Sequence, residues 1–237
     1  MKNVSIWLII PQTNLHVGNE STVNFSVIDK AIQRDATTNL PCINSGSLKG
    51  AIKEFMTEEL DLKDKDQMIK DIFGSIKSNT TSIKKGSVSF FDASLLFIPK
   101  QCTNGKTYEL IYCDKVLENF SDKVNNLIGE KGISKDDILK TVRSIMGNEN
   151  VAQNPVEEEK FKDCCDDDSL PIISRNCLEN GESVNLWYEQ VLPSLSVLAT
   201  IIVTKEKGQM DALNNRIVQI GANATIGYGY CKFVKLN

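Results

Sequence analysis

The stretch "SGSLKGAIKEFMTEEL" (45–60) decides the reading of the fold, because it is the first unambiguous helix between two strands. Ile52, Phe55, Met56 and Leu60 recur at helical spacing, and Ser45 or Ser47 can cap the start. Upstream, residues 3–10 ("NVSIWLII") form an apolar run of strand length. Downstream, "KDQMIKDIFG" (65–74) reads as a short second helix closed by Gly74. "GSVSFFDASLLFIP" (86–99) is then rich in strand-forming residues and stopped by Pro99.

Further along, two amphipathic helices are expected, "DKVLENFSDKVNNLIG" (114–129) and "SKDDILKTVRSIMG" (134–147). The second opens with a capping box, Ser134 to Asp137. The stretch "NENVAQNPVEEEKFKDCCDDDS" (148–169) is polar and acidic with little to bury, and reads as a solvated mobile loop. "LPIISRN" (170–176) reads as a strand, followed by a loop and a long apolar strand near 195–204. "GQMDALNNRIVQIG" (208–221) predicts a helix running into a strand. "VQIGANATIGYGYCKFVKL" (218–236) predicts strand, glycine-rich turn, strand. This order gives one α+β domain over 1–237, its core from 1–99 and 171–237, with a variable, partly helical insertion at about 100–170.

The bulk numbers are those of an ordinary globular chain: 237 residues, 41% hydrophobic and 24% charged. A net charge of −4 and a pI near 5.2 do not advertise nucleic-acid binding, although a local basic face is compatible with them. The apolar run at the N-terminus is too short for a signal peptide or a membrane span, which needs about 18 apolar residues. A cytoplasmic protein with no membrane partner is the expectation. The seven cysteines include no C-x-x-C pair, so reduced structural thiols are expected rather than a zinc site.

Four features could carry chemistry. "GANATIGYGY" (221–230) lacks the G-K-[ST] of a P-loop, and no helix follows to make a dinucleotide fingerprint. Its glycines, Gly221, Gly227 and Gly229, mark a turn or bulge, or allow close backbone approach to a phosphodiester. The helix start with Ser45, Gly46, Ser47 and Lys49 suits an anion as well as it suits a plain cap, and Lys53 shares a face with Lys49. His16 is the only histidine, which excludes a histidine-pair ribonuclease. Serine hydrolase chemistry would have to rest on that single base, with no G-x-S-x-G elbow to accompany it. Finally, in "FSVIDKAIQRD" (25–35), Asp29 interrupts two apolar pairs where Val27 and Ile28 end an apolar strand. Taken alone it is a turn residue, a buried polar group or a catalytic acid, with the balance on the structural side.

Four blocks together resemble a known family. These are "LHVGNESTVNFSVIDKAIQRDATTNLPCINSGSLKGAIKE" (15–54), "GSVSFFDASLLFIP" (86–99), "LPIISRNCLENGESVNLWYEQVLP" (170–193, read as far as Pro193) and "QIGANATIGYGYCKF" (219–233). Their order is similar to that of the RAMP superfamily of CRISPR–Cas proteins, and within it to the backbone subunits of type III-B (Cmr) effector complexes. The resemblance implies a ferredoxin-like, RRM-related palm with inserted thumb and helical elements. It also implies that several copies stack on a guide RNA, alongside other subunits of the complex. The thumb of each copy would splay a nucleotide of the target single-stranded RNA.

By the same resemblance, Asp29 cuts that RNA with a divalent metal, Mg2+, which it would help to hold, and His16 supports it. Ser45, Gly46, Ser47, Lys49, Lys53, Arg34, Gly221, Asn223, Gly227 and Gly229 would bind RNA. The alternatives are a non-catalytic guide-binding subunit, the type III-A (Csm) equivalent, and a guide-processing endonuclease. The presence of Asp29 favours the cutting subunit.

Overall fold

The computed structural model describes residues 3–18, 28–59, 65–76, 83–102, 105–129 and 132–236. Its centre is an eight-stranded antiparallel sheet made from β1 (Asn3–Pro11), β2 (Cys42–Ile43), β5 (Ser89–Phe90), β6 (Ala93–Gln101), β7 (Tyr108–Tyr112), β10 (Val197–Thr204), β11 (Ile217–Gln219) and β12 (Tyr230–Lys235). The spatial order is β11-β12-β1-β10-β6-β2, with β5 also paired to β10 and β7 to β6. β1 lies between β10 and β12, which explains its unbroken apolar run: Ile6 to Ile10 are all buried. Trp7 is fully buried and satisfies its indole N–H by donating to the Ser5 hydroxyl at 2.9 Å.

Helix α1 (Ser45–Glu58) buries Leu48, Ile52, Phe55 and Met56, as its periodicity predicts; Leu60 lies outside the described residues. Its cap is not the expected one. Asn44 occupies the N-cap position without a capping side-chain bond, and the Asp92 carboxylate accepts the Ser45 N–H at 2.6 Å. The Ser47 hydroxyl instead accepts from Gln33 Nε2 at 3.0 Å. Helix α2 (Lys65–Phe73) ends at Gly74, whose φ of +87° turns the chain into a two-stranded ribbon, β3 (Gly74–Ile76) with β4 (Ile83–Lys85).

The 86–99 block is two strands rather than one, and Pro99 lies inside β6 instead of ending it. Beyond Phe97 the ladder with β10 is finished and only β7 flanks β6, so a residue without an N–H is tolerated there.

Helices α3 (Asp114–Ile128) and α4 (Lys135–Met146) match expectation; Gly129 closes the first in the left-handed region, and Ser134 and Asp137 form the capping box of the second. Residues 148–169 are not the expected unburied loop. Val151 bridges to Leu110, and α5 (Glu158–Asp163) buries Phe161 completely, with Cys165 and Leu170 beside it in the core. The few apolar residues of this acidic stretch are spaced to meet the sheet and α3, and that is enough to order it. The apolar residues of α3, α4 and α5 belong to one continuous core with those of the sheet.

Two further differences concern the C-terminal third. The expected loop after residue 176 is a strand, so that β8 (Ile172–Glu179) and β9 (Glu182–Gln190) form a separate hairpin. Its tight turn is Asn180-Gly181, both with positive φ (53° and 87°), as a two-residue hairpin turn demands. The helix expected from 208 is only a short 3-10 turn at Asp211–Leu213, because Asn215 enters the left-handed region (φ 59°) and turns the chain into β11.

Candidate functional site

The hairpin meets the sheet domain at Glu189 and Gln190, both almost completely buried, and the site is built around that junction. Val27 lies outside the described residues, so the strand expected to end there is not assessed; Ile28 is buried, and Asp29 follows in an exposed bend. Asp29 and Tyr188 exchange two bonds. The Tyr188 N–H donates to Asp29 Oδ2 at 2.7 Å, and the Asp29 N–H donates to the Tyr188 carbonyl at 3.1 Å. One carboxylate oxygen therefore orients the side chain on β9, while Oδ1 has no partner among the described residues. The apolar neighbours anchor the segment and the carboxylate stands at the surface.

Lys30, next in sequence, lies over the Trp187 ring at 4.9 Å and reaches Glu189 Oε1 at 3.2 Å. The same oxygen accepts the Trp187 indole N–H at 2.8 Å, and Oε2 accepts Asn223 Nδ2 at 2.7 Å. Arg175 is close by, at 3.9 Å. Burial acts to raise the Glu189 carboxyl, but the bonds from Trp187, Lys30 and Asn223 outweigh it and hold the group below the usual carboxylate range. Glu189 is thus a hub, charged at neutral pH, joining the segment of Asp29, the hairpin base and the glycine-rich loop. Nothing local in the sequence distinguishes it, because its partners lie far away along the chain.

His16 is 3% exposed, with Nδ1 at 2.7 Å from the Gln190 carbonyl, so Nδ1 carries a proton and Nε2 turns toward Gly18. Its position is that of a buried support beside Glu189 rather than a group at the surface with Asp29.

The glycine-rich loop divides by role. A Cβ on Gly221 (φ +82°) would stand 2.2 Å from the His16 carbonyl oxygen, and one on Gly229 (φ +78°) 2.0 Å from that of Ile220. Those two glycines permit packing within the protein. A Cβ on Gly227 would meet nothing within 4 Å, so there the backbone is open. Asn223 spends its side-chain amide on Glu189.

Arg34, expected on the RNA side, is an internal clamp. It donates to the carbonyls of Asn39 (2.8 Å) and Cys165 (2.9 Å) and pairs with Asp167 Oδ1 at 2.7 Å, an oxygen that also accepts Gln190 Nε2 at 2.9 Å. Ser45 and Ser47 are half-buried with the partners given above, whereas Gly46 and Lys53 are exposed and Lys49 is partly so. The structure therefore brings Asp29, His16 and Asn223 to one junction and leaves the Lys49–Lys53 face of α1 apart from it.

Among the described residues, no three His, Cys, Asp or Glu side chains are grouped to hold a metal. Burial pushes the thiols of Cys42 and Cys165 up to about 12, so both are protonated at neutral pH. Asp29 offers one carboxylate oxygen without a partner among the described residues, a single protein ligand that suits a largely hydrated divalent ion and not an all-protein cage. No helix among the described residues is long and apolar enough to cross a membrane.

The chain belongs to the RAMP superfamily, whose family model matches residues 9–232. It is 25% identical to the CRISPR system Cmr endoribonuclease Cmr4 of Pyrococcus furiosus, over 93% of this chain and 91% of that protein. In fold it is similar to a chain of the type III-B Cmr-beta complex bound to cognate target RNA. That match has a TM-score of 0.76, 21% identity, and coverage of 99% of this chain and 97% of that one. It is also similar to oligomeric Cmr4 from Pyrococcus furiosus, with a TM-score of 0.70 at 21% identity and all of both chains covered. These likenesses agree with the curled antiparallel sheet and with a ferredoxin-like palm carrying insertions.

Proposed function

We propose that this chain is a backbone subunit of a type III-B (Cmr) effector complex in the cytoplasm. Its copies would stack along a guide RNA beside the other subunits and cut complementary single-stranded target RNA at regular intervals, as antiviral defence. One observation carries the reading in a chain of this family: a surface carboxylate, Asp29, is held by backbone bonds at the root of a projecting hairpin. The hairpin, 172–190, is the thumb in this reading. Its outer residues include Leu178 (63% exposed), Val184 and Leu186 (53% exposed), an apolar surface with no core to cover it, suited to wedging between stacked bases.

Cutting then follows from position. A nucleotide splayed by the hairpin is free to place its 2′-hydroxyl in line with the adjacent phosphate, and Asp29 Oδ1 is free to orient that hydroxyl and accept its proton; the 2′-oxygen bonds the phosphorus as the bond to the 5′-oxygen breaks, leaving a 2′,3′-cyclic phosphate and a 5′-hydroxyl whose proton comes from water. Tyr188 keeps the carboxylate oriented, and the charged hub at Glu189 keeps Lys30 beside it. The alternative use of the same oxygen is as the one protein ligand of a hydrated Mg2+, which when bound would supply charge stabilisation at the phosphate. His16 supports the junction from beneath.

Co-expression with the neighbouring subunits, purification and sequencing of the retained RNA tests this reading. Guide-type RNA held along a multi-copy assembly is the expected result; a chain that assembles with no RNA would overturn it.

A further inference from the structure

The last loop of the insertion at about 100–170 touches the segment that carries Asp29. It follows α5, whose Phe161 is buried in the core, and Cys165 and Leu170 anchor it in the same core. Between those anchors Arg34 takes the loop at two points, the Cys165 carbonyl at 2.9 Å and Asp167 Oδ1 at 2.7 Å. The same Asp167 oxygen accepts Gln190 Nε2 at 2.9 Å. Gln190 is fully buried, and its other polar atoms are all engaged at the junction. Its N–H donates to the Lys30 carbonyl at 2.9 Å, its carbonyl accepts His16 Nδ1 at 2.7 Å, and its Oε1 accepts the Ile32 N–H at 3.3 Å.

A side-chain amide can sit either way round, and Asp167 decides which. A carboxylate only accepts, so the NH2 end of Gln190 faces Asp167 and Oε1 is left for the Ile32 N–H, which only donates. One carboxylate of the insertion thereby fixes how Lys30 to Ile32 lie on β9, directly after Asp29. The Asp167 side chain is 59% exposed, and an ion pair at an open surface contributes little. Its partners are not open: the Arg34 side chain is 12% exposed and Gln190 is wholly enclosed. Without the carboxylate, Arg34 loses an acceptor, and Gln190 Nε2 keeps only the Asp167 carbonyl at 3.5 Å, the limit of a hydrogen bond. Leaving buried donors unpaired is the costly case.

We infer that Asp167 is a positioning residue for the cutting reaction, and that the insertion serves as a brace for the segment that carries Asp29. The inference rests on the cutting role proposed for Asp29. Asp167 acts through Gln190 and Arg34 and needs no contact with RNA: it keeps the segment seated on β9, so that Asp29 Oδ1 is presented in one place rather than several.

Two measurements test it. The first, hydrogen exchange of the purified full chain read by mass spectrometry, needs no cutting. Asp167→Ala should speed exchange several-fold in peptides covering 28–34 and 186–191, while β10 stays as protected as in wild type. Unchanged exchange in those peptides, or an equal rise throughout the chain, overturns the brace. The second is single-turnover cutting of a complementary single-stranded RNA by the assembled, guide-loaded complex. Asp167→Ala should slow cutting at saturating target at least about tenfold with target affinity unchanged. Asp167→Asn, which keeps an acceptor for both donors, should recover most of the rate. A merely structural role predicts a lower melting temperature with a wild-type rate per assembled complex, and that result overturns the positioning role while leaving the proposed function standing. If the wild-type complex does not cut, the proposed function falls and the positioning role with it, and the exchange result alone decides the brace.

Discussion

Asp29 Oδ2 accepts the Tyr188 N–H at 2.7 Å, and the Asp29 N–H returns a bond to the Tyr188 carbonyl at 3.1 Å. A surface carboxylate is thereby registered against the hairpin strand. In the proposed function, the residue that would react and the element that would prepare the substrate form one unit.

The Glu189 hub gives a pH-dependent prediction. Its folded-state carboxyl lies below the ordinary 4.5, so its contribution is fully present above that value and lost as pH falls through the lower folded value. Glu189→Gln should lower stability by about 2 kcal/mol near neutrality, because buried donors lose a charged acceptor. Thermal melts should show the gap from wild type closing as pH drops below 4.5. A gap that stays constant down to strong acid would contradict the hub.

The two roles assigned within the glycine-rich loop separate by stability. Gly221→Ala must push against the His16 carbonyl as well as adopt a positive φ, and should cost roughly 3 kcal/mol. Gly227→Ala meets no neighbour and should cost about 1 kcal/mol. Denaturant melts of the two variants check the order; equal losses would mean that the loop is not packed on His16 as described.

The outer hairpin should matter to assembly and not to the monomer. Leu178→Ser/Leu186→Ser removes exposed apolar surface and should change folding stability by no more than about 0.5 kcal/mol. The same double variant in the complex should cut complementary RNA at least tenfold more slowly, read by gel analysis of products. Unchanged cutting would remove the wedge from the account.

Much of this fold is legible because its signals are local. The apolar run of β1, the buried stripe of α1 and the Ser134–Asp137 capping box each lie within a few residues of chain. Of the hairpin only the first strand is legible, in 170–176; the return strand is missed because it meets water along most of its length and buries little, and Asn180-Gly181 is the local signal for the turn. Residues 148–169 read as loop because composition counts apolar residues without placing them, and a few well-placed ones, Val151, Phe161 and Cys165, fix that segment to the core. At the site, Asp29 stands out by interrupting apolar pairs, whereas Glu189 and Gln190 take their meaning from His16, Lys30 and Asn223, contacts that only the folded chain brings together. Arg34 shows the converse: a cation read as facing RNA is spent on Asp167 and two carbonyls.

In the proposed function the Asp29 carboxylate cuts RNA, and Asp29→Asn isolates that role, since the amide oxygen can still accept the Tyr188 N–H. The measurement is cleavage of a complementary single-stranded RNA by the assembled, guide-loaded complex with Mg2+, comparing wild type with this variant. Normal assembly and target binding are expected, with cutting slowed by at least about 100-fold at every regularly spaced position. Cutting at the same positions and near the wild-type rate would contradict it.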